Sequence, residues 1–343
     1  MNNKKKKIVF YPYEASDNEY IVIMRNILEE KAEIIDYRIA KLGLISLSHI
    51  QCIYLNWIEN DWLFEDELFI RRAKKNKVKI IWVFHNKIPH DIKFDEIKRK
   101  KDVIRCIIEC STYIIIHSKS SRNYLLEYGE DLDNKIVFIP LVNYKNIYED
   151  LGGDIRKKYG IEKKTILFGV FGMIRPYKNI ELLIDIFKEK EFEKNKLIII
   201  GKTTDFNYFK TLQIKAENTN NIIIRNKYIS PIEMGSYLNA IDIMILPYNT
   251  ISSMNSSAMI LAFSYGKTVV ISNIAMSDEY EEELIYKYKY QNTYEHYTAL
   301  KKQLLKVIYD GREGVSNKGK KLELLVEKNN SLSIVKNAIL KLI

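Results

Sequence analysis

Cysteine, histidine and proline are scarce in this chain of 343 residues, at three, five and six copies. Three cysteines cannot all pair, so a disulfide scaffold is excluded, and Cys52, Cys106 and Cys110 are expected to be reduced core thiols. Cys106 and Cys110 share a helix face by their spacing, but no further Cys or His stands near enough to complete a metal set. Long apolar runs are missing too. A membrane-spanning helix needs roughly 18–20 apolar residues, and runs such as Ile198–Ile200 and Ile222–Ile224 are only strand-sized. The basic run Lys4–Lys7 is followed by Ile8-Val9-Phe10 and then Pro12, too little for a signal-peptide core. The chain is therefore expected in the cytoplasm, at most peripheral on the inner face of the cell membrane.

What is present is an ordinary globular composition, 47% apolar and 29% charged, which excludes disorder and collagen-like repeats. Lys and Arg number 54 against 44 Asp and Glu, a net charge of +10. That balance suits nucleic acid, an anionic membrane surface or phosphorylated small molecules, but no nucleic-acid-binding module is recognisable. Short β-branched runs alternate with amphipathic segments. Strands are expected at Lys7–Tyr11, Ile50–Leu55, Lys79–Phe84, Tyr113–His117 and Ile136–Ile139. A second series lies at Ile166–Phe171, Lys196–Ile200, Asn221–Arg225, Ile243–Leu246 and Thr268–Ser272. Uncharged strands separated by helices imply an α/β fold with parallel sheets covered on both faces. Length and the two series imply two Rossmann-like domains, 1–145 and 165–330, joined by a linker at 146–164, with a final helix at 331–343 packing back on the first.

In such sheets ligands bind at the carboxyl ends of the strands. The segment FGVFGMIRPYK at 168–178 ends a strand, then offers Gly172, Arg175 and Lys178 just before the next helix. A forked guanidinium, a point charge and a helix N-terminus together suit a diphosphate. The segment PYNTISSMNSSAMILAFSYG at 247–266 places hydroxyls and free amides at a helix start, with Ser256 or Ser257 as cap; plain capping accounts for part of this. WVFHNKIPHD, at 82–91, puts His85 at a strand end, with Asn86 and His90 close behind. A strand-end imidazole can act as a base or bind hydroxyls; His117 sits similarly. PYEASDNEY after the first strand lacks the glycines of a dinucleotide fingerprint, but offers Glu14, Asp17 and Asn18 for a sugar or a proton. Trp57, Trp62, Phe64 and Phe69 beside the basic run Arg71–Lys79 suit either an anionic bilayer surface or a core strand followed by a solvated helix face.

The segment FGVFGMIRPYKNIELLIDIF, then IIIGK, YISPIEMGSYLNAIDIMILPY and LAFSYGKTVVIS, resembles the nucleotide-binding domain of GT-B glycosyltransferases, the class that includes glycosyltransferase family 4. The resemblance runs from Thr165 to Ser272. In the first domain WVFHNKIPHD and the NEY triplet resemble a subgroup acting in bacterial surface-polysaccharide assembly. The resemblance implies two Rossmann-like domains facing a cleft. The second would hold a nucleotide-sugar donor and the first a saccharide acceptor, lipid-linked in this subgroup. It implies no cofactor and no metal, since Arg175 and Lys178 match the pair that grips the diphosphate. The donor set expected from motif and resemblance together is Gly172, Arg175, Lys178, Tyr228, Asn249, Ser253, Ser256 and Ser257. His85, Asp17 and Glu14 are the candidate catalytic groups, and Asn18, Asn86 and His90 the candidate acceptor contacts. One departure stands out. The two glutamates of family 4 retaining enzymes fall here on Ser253 and Leu261, which leaves retaining and inverting chemistry both open. It also admits an alternative, a non-catalytic GT-B partner subunit of another transferase.

Overall fold

The computed structural model of the chain describes residues 6–14, 18–57, 62, 64–87, 96–129 and 131–343. These form two compact units. The first comprises residues up to Val142 with Ile251–Asn255 and Leu332–Ile343; the second comprises Asn143–Thr250 and Ser256–Ser331.

In the first unit the order is β1 (Lys7–Tyr11), α1 (Glu19–Glu29), β2 (Glu33–Asp36), α2 (Tyr37–Lys41), β3 (Ile50–Leu55), α3 (Phe64–Lys75) and β4 (Lys79–Val83). Then follow α4 (Ile97–Cys110), β5 (Tyr113–Ile116), α5 (Arg122–Leu126) and β6 (Ile136–Phe138). The strands pair in parallel in the order β2-β1-β3-β4-β5-β6. Strand β2 has no apolar signature to announce it: its sequence is EIID, with only Ile35 buried. The aromatics expected to face either a bilayer or the core divide. Trp62 and Phe69 are core residues, Trp62 stacked on Tyr37 at 5.7 Å, whereas Phe64 is 64% exposed. All three cysteines are buried and free, and burial pushes the Cys52 thiol up to about 12.

The second unit runs α6 (Ile155–Lys158), β7 (Leu167–Phe171), α7 (Ile180–Phe187), β8 (Lys196–Gly201), α8 (Phe206–Lys215), β9 (Ile222–Asn226) and α9 (Pro231–Ala240). It continues with β10 (Ile243–Leu246), α10 (Ser257–Ser264), β11 (Thr268–Ser272), β12 (Tyr286–Tyr288) and α11 (Thr293–Asn329). Its sheet is also parallel, in the order β12-β11-β10-β7-β8-β9. Central strands buried on both faces explain the uninterrupted Ile runs: Leu197, Ile198 and Ile199 are fully buried, each worth about 1.5–3 kcal/mol on transfer from water.

Residues 146–164, expected to link the domains, are packed into the second unit. Arg156 donates to the Ala240 carbonyl at 2.8 Å and pairs with Asp242 at 2.5 Å. Asp242 also accepts from the Leu167 amide and from Arg312, both at 2.8 Å. Arg312 can reach it because α11 breaks at Gly311, whose φ of 66° and ψ of 177° depart from the helix. One carboxylate thus ties the segment before β7, the start of β10 and the long helix together. The final helix α12 (Leu332–Leu340) groups with the first unit, where Lys336 pairs with Glu30 at 2.6 Å.

Candidate functional site

In the second unit the carboxyl ends of β7, β8 and β10 are adjacent in the sheet, and the groups most suited to an anion lie there. The chain leaves β7 through Gly172 at φ +86°, a left-handed conformation that costs glycine nothing. Gly201, ending β8, allows the approach: a Cβ on it would stand 1.8 Å from the Gly172 carbonyl oxygen. The loop is pinned at the Ile174 amide, which donates to the Lys202 carbonyl at 2.9 Å. Lys178 folds back underneath and donates from Nζ to the Phe171 carbonyl at 3.0 Å. An ammonium has three donors, and the described residues engage only this one. The side chain is nevertheless buried, and burial followed by the nearby Arg175 cation pulls its pKa down to about 8. A buried cation short of acceptors at a strand end is suited to an anionic ligand.

Asn179 adopts φ +46° and donates from Nδ2 to the Pro247 carbonyl at 2.7 Å; the Asn249 amide donates to the Tyr177 carbonyl at 2.8 Å. These bonds hold the loop after β7 against the loop after β10. A positive φ in an asparagine gives no sequence signal beyond the residue type. Ser256 caps α10: its Oγ accepts from the Met259 amide at 3.1 Å and meets the Tyr248 hydroxyl at 3.0 Å. Its hydroxyl is therefore committed to the fold. What remains available is the start of α10 with exposed Ser257, where the first amides of a helix lack intrahelical partners. Tyr228 is 48% exposed after β9, at the outer edge of the sheet. Ser253 groups with the first unit instead, buried, with an Oγ that finds no partner among the described residues.

In the first unit His85 stands two residues past the end of β4. Its ring packs against Tyr20 at 5.0 Å, His117 at 4.9 Å and Trp57 at 6.1 Å, and its Nε2 is buried without a hydrogen-bond partner among the described residues. Burial, with a smaller contribution from His117, holds its pKa well below the ordinary value, so the imidazole is neutral at pH 7. His117 is fixed from both sides. Nδ1 lies 2.7 Å from the Ile139 carbonyl, which can only accept, so Nδ1 carries the proton and Nε2 accepts from the Tyr20 hydroxyl at 3.2 Å. Its pKa falls to about 4 through burial. His117 thus supports the His85 ring as a neutral wall.

The other first-unit candidates are occupied or elsewhere. Glu14 is exposed and pairs with Arg38 at 3.0 Å. Asn18 caps α1, its Oδ1 accepting from the Tyr20 and Ile21 amides at 3.1 and 3.4 Å. Asn86 is part-exposed on the loop after β4. Asp17 and His90 lie outside the described residues. The sequence reading missed Tyr20 as a ring partner of His85, because the two are 65 positions apart and only the fold brings their rings to 5.0 Å.

Comparison with known proteins bears on the fold and on the second unit's sequence. Residues 153–322 match the family model of glycosyl transferases group 1. A GDP-mannose:glycolipid 4-beta-D-mannosyltransferase of Xanthomonas campestris is 27% identical over 126 residues, 35% of this chain and 36% of that protein. The match thus spans about a third of the length of such curated relatives. Among solved structures, Anabaena HepE in complex with UDP and glucose superposes with a TM-score of 0.72 at 13% identity, covering 98% of both chains. A glycosyltransferase from Rickettsia africae gives 0.66 at 16% identity, over 99% of this chain and 97% of that one. The two parallel sheets form a GT-B fold, and residues 153–322 carry the similarity to glycosyl transferases group 1.

Proposed function

We propose that the chain is a glycosyltransferase moving a sugar from a nucleotide-sugar donor to a saccharide acceptor, lipid-linked, in bacterial surface polysaccharide synthesis. The observation that carries the reading is Lys178, a buried ammonium under the Gly172 turn with two donors unengaged by the described residues. A donor diphosphate supplies the missing acceptors. Arg175 adds a forked contact, and the amides opening α10 add the positive end of a helix dipole. The names of the relatives support the ligand classes: the Xanthomonas protein uses GDP-mannose and a glycolipid, and the Anabaena structure holds UDP and glucose.

The chemistry follows from the groups at hand. The bond between the anomeric carbon and the diphosphate oxygen breaks, and its electron pair goes to the diphosphate. Lys178 and Arg175 stabilise the charge that develops there without a divalent ion. An acceptor hydroxyl attacks the anomeric carbon and loses its proton to a base. His85 Nε2 is neutral and unpartnered, which suits that task. Ser253 and Leu261 supply no carboxylate for a retaining course, and the β-linkage in the name of the Xanthomonas relative favours direct displacement with inversion.

The test is a thermal-shift panel with UDP, GDP, dTDP, CMP and ADP in EDTA, because a ligand of the folded state alone raises stability by mass action. Stabilisation by one nucleotide is expected and names the donor class. No shift with any of them would refute the donor site. A shift without turnover on any acceptor would favour the non-catalytic partner subunit.

A further inference from the structure

The carboxyl edge of the first sheet holds a further unsatisfied group, on β3. Asn56 follows this strand directly and is fully buried. Its backbone amide and its Nδ2 both donate to the Tyr11 carbonyl, each at 2.9 Å. A carbonyl can only accept, so the orientation of the side-chain amide is fixed and Oδ1 is the free end. That Oδ1 is buried and finds no hydrogen-bond partner among the described residues. Tying β3 to β1 through Tyr11 uses Nδ2 alone and leaves the buried acceptor unexplained, a rare condition in folded proteins. Strands β3 and β4 are neighbours, with Leu55 opposite Trp82, so Asn56, Trp57 and His85 emerge together at one edge. The part-exposed Trp57 ring lies 6.1 Å from His85, whose Nε2 is also buried and unpartnered.

We infer that Asn56 and Trp57, beside His85, form the sugar-reading part of the acceptor subsite: Asn56 Oδ1 accepts a hydrogen bond from a saccharide hydroxyl, and the Trp57 ring packs on the C–H face of that sugar. The ligand class follows from the groups. A neutral amide oxygen, a neutral imidazole and an indole face offer hydrogen bonds and apolar contact but no charge, which suits a neutral polyhydroxylated ring better than an anion. This rests on reading the chain as a glycosyltransferase, and it moves the acceptor contact from Asn18, which caps a helix, to β3.

Saturation-transfer NMR on the full chain tests it, with the methyl glycosides of glucose, galactose, mannose and N-acetylglucosamine as probes. At least one is expected to bind the wild type. Asn56→Ala should weaken that glycoside roughly tenfold, the upper range for one neutral hydrogen bond. Trp57→Ala should weaken the same glycoside, and being part-exposed it leaves the fold intact. In both variants the nucleotide-induced thermal shift should match the wild type. Absence of glycoside binding to the wild type, or full retention in both variants, overturns the inference. Glycoside binding that depends on Asn56, in a protein no nucleotide stabilises, would uphold the subsite and refute the transferase reading.

Discussion

Lys178→Met separates the stability of this fold from its proposed function. Lys178 is charged at pH 7 but buried, with its pKa drawn down to about 8 by burial and then by Arg175. The unfolded lysine keeps a value near 10.4. Between these values the unfolded chain binds the extra proton. Stability therefore rises as pH increases from about 8 to 10.5, and the full penalty applies below 8. Two and a half units correspond to roughly 3 kcal/mol of destabilisation at pH 7. Methionine fills a similar volume without charge and forfeits one hydrogen bond to the Phe171 carbonyl, worth about 1 kcal/mol. The net expectation is a gain of about 2 kcal/mol, or a Tm rise of roughly 4–8 °C at the 2–4 °C per kcal/mol of larger domains. The same substitution removes the cation proposed to meet the donor diphosphate, so the nucleotide-induced shift should vanish. Thermal unfolding of both proteins at pH 7 and pH 10.5, with and without nucleotide, measures both effects. The apo difference should shrink at the higher pH. A variant less stable than wild type at pH 7 would refute the buried-cation argument, and an intact nucleotide shift would refute the placement of the donor.

Three further outcomes follow from the same geometry. Arg175→Ala should weaken nucleotide binding by the roughly 1.5–3 kcal/mol of a charge-assisted contact, read by calorimetric titration; unchanged affinity would exclude it from the site. His85→Gln should depress turnover with nucleotide affinity unaltered. Because His85 stays neutral well below its ordinary pKa, the wild-type rate should hold from pH 8 down through 6.5, whereas an inflection at 6.5 would refute a buried base. Asp242→Ala leaves Arg156 and Arg312 without their shared carboxylate and should cost about 3–5 kcal/mol in chemical denaturation, and a loss under 1 kcal/mol would show that the bridge carries little.

The division between what was legible in the sequence and what was not follows the range of the interactions. Strands such as Lys196–Gly201 are buried on both faces, so each residue reports its surroundings by being apolar, and alternation with helices settles the parallel fold. Strand β2 lies at the outer edge and carries acids, and β12 has only the three residues YKY; neither is long or apolar enough to stand out. The Gly172–Lys178 loop was legible because a strand end, a glycine and two cations are neighbours along the chain. Its supports were not, since Gly201 and the Pro247 carbonyl reach it only through the sheet order.

Histidines carry the last argument, because their burial has a consequence in acid. His117 and His296 are both buried, and burial lowers each pKa to about 4. His296 Nε2 meets the Tyr288 hydroxyl at 2.9 Å and stacks on Tyr290 at 3.8 Å in the second unit, while His117 stands in the first. The unfolded imidazoles titrate near 6.5, so between pH 6.5 and 4 the unfolded chain binds the more protons. The stability each contributes is complete above 6.5 and is lost as pH falls toward 4, by roughly 3 kcal/mol per histidine at the low end. Both units should therefore weaken across the same interval. His117→Asn should flatten the pH dependence of the first unit alone and His296→Asn that of the second, followed by urea denaturation at pH 7, 5.5 and 4.5. A wild-type stability that is flat over that range would show that neither imidazole is held neutral by its surroundings.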